Sequence, residues 1–159
     1  MTTGSNAPER LIYHEWIEKF KTYLSKGQSV YDIGCFSRHD YHETMKDYNY
    51  KTIDNNPNQN PDIVVDAASS MPSVDGIMCH GVHSECKNPF KLTYYCWENL
   101  KENGVALFGI VLLDYPQYHG ELWRFTLDGV KKMLRDFHVI EERVVYRNEP
   151  SFYFCIARK

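Results

Sequence analysis

Apolar and polar positions along this chain follow two rhythms, and the switches between them outline its elements. From Glu9 to Lys26, Ile12, Trp16, Phe20 and Leu24 recur every four residues, which puts an apolar stripe on one helix that Lys26-Gly27 stops. Four apolar runs of strand length follow, at 29–33, 51–54, 62–65 and 75–79. A short polar helix is expected from Arg38 to about Asp47, whereas the turn Asn55 to Pro61 is too short and too polar to hold one. The run at 62–65 is apolar after Asp62, as in a buried parallel strand. Asn88-Pro89 offers an N-cap and a first-turn proline for a helix to Lys101, with Phe90, Tyr94, Trp97 and Leu100 on one side. A fifth strand over 105–113 and a helix over 126–136, with Val130, Met133 and Leu134 inward, come next. Strands of roughly 138–146 and 151–157, joined by Asn148-Glu149-Pro150, close the chain. Alternating strands and helices with two adjacent terminal strands predict one α/β domain over residues 9–159 behind a disordered leader, residues 1–8. The sheet is expected to be open and mostly parallel, with an antiparallel C-terminal edge and helices on both faces.

The first strand ends in Asp32-Ile33-Gly34-Cys35, and the second, about one half-unit later, ends in Asp54-Asn55. A glycine turn lets the backbone approach a ligand, and a carboxylate at the next strand tip can accept hydrogen bonds from two ribose hydroxyls. Gly34 is followed by Cys35, Phe36, Ser37 and Arg38, so no glycine-rich pyrophosphate cradle is present and a nucleoside without phosphates fits better. A carboxylate closing an apolar strand is costly to bury unless paired, which makes Asp54 the best single candidate; its alternative role is a turn with Asn55-Asn56-Pro57. Asp66-Ala67 follows the third strand with the same logic, or simply caps a helical turn. Cys79 and His80, at the end of the fourth strand, fall where open α/β sheets bind ligands. With His83 and Cys86 they also suggest zinc, but four candidates within eight residues lack the separated pairs of a structural site, so no metal is expected.

The segment Asp114 to Glu121 follows the fifth strand and carries a carboxylate, an imidazole and two phenols. His119 is the natural general base there, and Asp114 or Glu121 could orient it. Arg124 could meet an acidic acceptor or tie the loop to a carbonyl. Tyr115, Tyr118 and Trp123 would suit the apolar faces of sugar rings, or plain packing. A net charge of −3 with basic residues spread along the chain argues against a nucleic-acid partner. Five cysteines, an odd number, read as reduced thiols rather than a disulfide framework. Neither a membrane-length apolar run nor a secretory segment is visible, so the protein is expected in the cytoplasm.

Several of these segments, in order, resemble the class I S-adenosylmethionine-dependent methyltransferases. Asp32-Ile33-Gly34-Cys35 resembles that family's first motif, and Tyr50-Lys51-Thr52-Ile53-Asp54 its second, with the ribose-binding acid. Asp62 to Ala67 with Met71-Pro72, Asp75 to Cys79, and Leu100 to Phe108 resemble the segments that follow. His119-Gly120-Glu121-Leu122-Trp123-Arg124-Phe125-Thr126 is similar to a stretch of a subgroup found beside glycosyltransferases. Phe36 stands where the family usually has glycine, and Ser84-Glu85 where it usually has Glu-His. The resemblance implies a Rossmann-like fold and S-adenosylmethionine held by Asp32, Gly34, Cys35, Asp54, Asn55, Asp66, Ala67, Cys79 and His80. It implies O-methylation of a sugar, glycan or other small molecule, with His119 and Asp114 catalytic and a second copy or a glycosyltransferase as protein partner. The alternative is a degenerate domain of this fold that senses the cofactor or serves as an interaction module.

Overall fold

The computed structural model describes residues 8–35, 41–117 and 120–159. Within them seven strands form one sheet in the order β3-β2-β1-β4-β5-β7-β6. The strands are β1 (Ser29–Ile33), β2 (Asn49–Asp54), β3 (Ile63–Val64), β4 (Val74–His80), β5 (Leu100–Val111), β6 (His138–Tyr146) and β7 (Pro150–Arg158). Strands β1 to β5 pair in parallel, and β7 enters antiparallel between β5 and β6. Chain order reverses at β1, whose neighbours are β2 and β4, so the carboxyl ends of β1 and β4 are the switch point where open α/β sheets place their ligand crevice. The expected leader lies outside the described residues except for Pro8, which begins the first helix.

Helix α1 (Pro8–Lys21) covers one face of the sheet, with Tyr13, Trp16, Ile17 and Phe20 buried against Val30, Met78 and Leu107. It ends five residues before the expected stop. Thr22, Tyr23 and Leu24 donate to the carbonyls three residues back, which tightens the last turn, and the Thr22 hydroxyl bonds to the Lys19 carbonyl. Helices α2 (Pro89–Glu98) and α3 (Leu127–Met133) cover the opposite face. Asn88 and Thr126 cap them, each side chain accepting a backbone N–H of the first turn. Val130, Met133 and Leu134 point inward as expected.

Three expectations are corrected. On α2 the buried side is Pro89, Leu92, Thr93 and Cys96, while Phe90 and Tyr94 are 60% and 54% exposed. The helix turns its small residues inward because the Thr93 hydroxyl meets buried His83, Nε2 to Oγ1 at 3.1 Å. Strand β3 is two residues long, and Val64 is exposed because β3 is a sheet edge without a helix over that face. Between β2 and β3 only a 3-10 turn, Pro57–Gln59, intervenes. Finally, residues 41–47 form turns rather than the second half of a polar helix; residues 36–40 lie outside the described set.

Candidate functional site

Four side chains named from the sequence converge where β1 and β2 end. Asp32 is buried, and its carboxylate accepts a 2.5 Å hydrogen bond from the Tyr50 hydroxyl of β2. Burial pushes the Asp32 carboxyl up to about 7, against the opposing pull of the Tyr50 bond. Cys35 is nearly buried as well; burial first, then the charges of Asp54 and Asp32, raise its thiol. Asp54 closes β2, half-exposed, with Oδ1 accepting the Asn56 N–H at 2.9 Å. The Gly34 N–H donates to the Ile53 carbonyl at 2.8 Å, so the glycine turn of β1 abuts the acidic end of β2. Among the described residues neither Asp32 nor Asp54 has an ion-pair partner. Among the described residues, then, these two carboxylates at the ends of β1 and β2 face no cation.

The glycine is required by shape. Gly34 sits at φ +73°, and a Cβ there would lie 2.3 Å from Val82 Cγ2. Gly81, at φ +75° just beyond β4, has nothing within 4 Å of its would-be Cβ and opens onto the crevice. Asn55 is exposed beside Asp54, and Asp66 beyond β3 is exposed, with Oδ1 accepting the Ala68 N–H at 2.8 Å; Ala67 is half-buried.

Cys79 and His80 diverge, as consecutive strand residues must. The Cys79 thiol is fully buried among Cys96 and His83 on the α2 side, so it is not presented to the crevice, and contact with Cys96 and burial raise it. His83, expected only as a metal candidate, is a core residue; burial pushes its imidazole down to about 3. His80 turns to the α1 side, where its ring stacks on Tyr13 at 4.0 Å and lies near Phe152 and Phe154. Gly109 makes room for it: a Cβ there would fall 2.3 Å from His80 Cδ2. Sequence reading missed Tyr13, which is fully buried beside Asp32 and His80 with a hydroxyl that has no hydrogen-bond partner among the described residues. The heptad-like stripe of α1 had hidden it, because Tyr13 sits one place from Ile12.

On the other side of the crevice, Asp114 does not orient a base in the described residues. Its Oδ2 accepts the N–H groups of Asn148 and Glu149, both at 3.0 Å, which closes the β6–β7 hairpin. Those two bonds hold its carboxyl below the usual range. Asp114→Ala is expected to lower the thermal midpoint slightly, because two N–H groups lose their acceptor. His119 and Tyr118 lie outside the described residues. Arg124 takes the tying role: Nη1 donates to the Leu112, Leu113 and Tyr115 carbonyls, and Nη2 meets Glu121 Oε2 at 2.6 Å. A cavity of 390 Å³ between α3 and β6 is lined by none of these residues. No described helix is long and apolar enough to cross a membrane.

No protein-family model and no curated protein sequence matches the chain. Solved structures do. The N-methyltransferase NodS from Bradyrhizobium japonicum WM9, in complex with S-adenosyl-L-homocysteine, superposes with a TM-score of 0.78 at 14% identity, over 97% of this chain and 89% of that one. The 1,6-didemethyltoxoflavin-N1-methyltransferase of Burkholderia thailandensis, with S-adenosylhomocysteine bound, gives 0.71 at 14% identity over 98% and 84%. The [4+2]-cyclase SpnF gives 0.75 at 14% identity over 99% and 84%, so the same architecture also carries other chemistry. At such identities the likeness speaks for architecture: the chain has the class I fold of the S-adenosylmethionine-dependent methyltransferases.

Proposed function

We propose that the protein binds S-adenosylmethionine and transfers its methyl group to a small-molecule acceptor, a sugar or glycan hydroxyl. The observation that carries the cofactor reading is the Gly34 turn set against the Asp54 carboxylate, with buried Asp32 beside both. Two acids with no cationic partner among the described residues suit a ligand bearing an ammonium and a sulfonium, and disfavour a pyrophosphate. The unpartnered Tyr13 hydroxyl adds a polar atom that a ligand in this crevice could satisfy.

The residues divide by what each can hold. Asp54 would accept the ribose hydroxyls, Asp66 and Ala67 would border the base, and Asp32 with Tyr13 would face the amino-acid end. The bound cofactor supplies a methyl group already activated by its positive sulfur. The protein's task is then to aim the acceptor oxygen in line and receive its proton. His119 remains the proposed proton acceptor, while Asp114 is assigned to the hairpin.

The buried Asp32 gives this reading a pH signature. A cationic ligand favours the ionised carboxylate, so affinity should rise with pH toward about 7 and level off above it. Roughly a tenfold gain is expected between one unit below that value and one unit above, and Asp32→Asn should flatten the profile. Titrations of S-adenosylmethionine across this range would check it; a flat wild-type profile would contradict the role of Asp32. Stability without ligand should run the other way. The folded value lies above the ordinary one, so the stabilising proton is fully bound below about 4 and is lost as pH rises through about 7.

A second reading, a degenerate domain acting as an interaction module, draws on Val82, whose side chain packs closely over Gly34. Cofactor titration separates the two. An acceptor screen with methyl-labelled cofactor tests the first: label entering a saccharide supports it, and label found only in amines or proteins would redirect it.

A further inference from the structure

The segment Gly120–Phe125 crosses the carboxyl ends of β4 and β5. The Leu122 and Trp123 N–H groups donate to the Ser84 carbonyl at 2.7 and 3.0 Å, and the Ser84 hydroxyl bonds to the Gly81 carbonyl. The Trp123 indole N–H is fixed to the Cys86 carbonyl at 2.9 Å. Along this segment burial is inverted. Leu122 and Trp123 are 61% and 39% exposed, whereas the Glu121 side chain is only 4% exposed. One of its oxygens, Oε2, is held by Arg124, and the other, Oε1, is buried with no hydrogen-bond partner among the described residues.

A buried carboxylate oxygen left without a donor costs about 1–3 kcal/mol, a cost that pointing Glu121 outward would avoid. Arg124 prevents that by anchoring the carboxylate to the end of β5 through three carbonyls. Held by the guanidinium at 2.6 Å, the carboxylate presents its second oxygen in a fixed place as a hydrogen-bond acceptor. A polyol offers the donor that is missing, and the rigidly held Trp123 ring offers an apolar face nearby.

We infer that Glu121 is the acceptor-positioning residue, its free Oε1 accepting a hydrogen bond from a hydroxyl of a saccharide acceptor beside the hydroxyl that is methylated. This rests on the methyltransferase reading, and it names the group that selects the acceptor. The test uses the full chain carrying 13C at the glutamate side-chain carboxyls, with the Glu121 resonance identified by its loss in Glu121→Gln. The protein is titrated with methyl α-glucopyranoside as a hydroxyl probe and with ethylammonium as a cationic probe, each with and without S-adenosylhomocysteine. The expected result is a saturable shift of the Glu121 resonance with the glucoside. Glucoside binding should weaken about tenfold in Glu121→Gln, while S-adenosylhomocysteine affinity holds. Glu121→Asp, which keeps the charge, serves if the glutamine variant does not fold, and should retract the oxygen and weaken the glucoside likewise. An unmoved resonance, a response to ethylammonium alone, or unchanged glucoside binding in the variants overturns the inference. Failure of S-adenosylhomocysteine to bind counts against the methyltransferase reading instead, since the glucoside response is also recorded without it.

Discussion

Asp54→Ala is expected to weaken S-adenosylhomocysteine binding by roughly a hundredfold, about 3 kcal/mol, with little change in folding. The size follows from chemistry at a strand tip. A carboxylate accepting two ribose hydroxyls makes charge-assisted hydrogen bonds, each stronger than a neutral one. The only side-chain bond Asp54 makes in the described residues is to the Asn56 N–H, in an exposed turn, where loss costs little stability. Asp54→Asn keeps that turn bond and should still lose much of the affinity, which separates ribose binding from turn formation. Calorimetry on the three proteins checks it. Equal affinities would remove Asp54 from the site and favour its role as a turn residue.

The second large effect is on the fold itself. Gly34→Ala should destabilise the protein by about 3 kcal/mol and lower the thermal midpoint by on the order of 10 °C. Two costs add: a left-handed φ of +73° that a side chain resists, and a Cβ placed 2.3 Å from the stiff Val82 Cγ2. The double variant Gly34→Ala with Val82→Ala should recover the overlap and leave the backbone cost of about 1 kcal/mol. If the double variant melts with the single one, Val82 is not the obstacle. The same pair of variants bears on the proposed cofactor site, because Val82 packs against the Gly34 turn.

The framework of this fold was legible because its strands are set by local signals. The apolar runs of β1, β2, β4 and β5 end at glycine or acid, and the terminal hairpin is bounded by Asn148-Glu149-Pro150. The cap at Asn88 was equally local, whereas Thr126, read as helical, caps α3 from outside it. What failed depended on tertiary partners. Aromatic spacing did not mark the buried stripe of α2: Trp97 and Leu100 pack on the core, Phe90 and Tyr94 do not, and the stripe includes Thr93, whose hydroxyl meets His83. Residue composition marked Asp114 as chemical, and only the hairpin's approach shows its carboxylate committed to two backbone amides. Conversely, Tyr13 and Glu121 gain interest from orphaned buried oxygens, which no spacing rule announces. Cys79 and His80 illustrate the same limit: adjacent in sequence, they face opposite cores, and only the pleat decides which.

Calorimetric titration of the wild-type protein with S-adenosylmethionine and S-adenosylhomocysteine, at a pH above 7 where Asp32 is ionised, tests the central claim most directly. Saturable one-to-one binding of both is predicted, tighter at that pH than in mildly acidic buffer. No binding of either by a sample that unfolds cooperatively would contradict a cofactor site at the ends of β1 and β2, and would leave the fold as an interaction module.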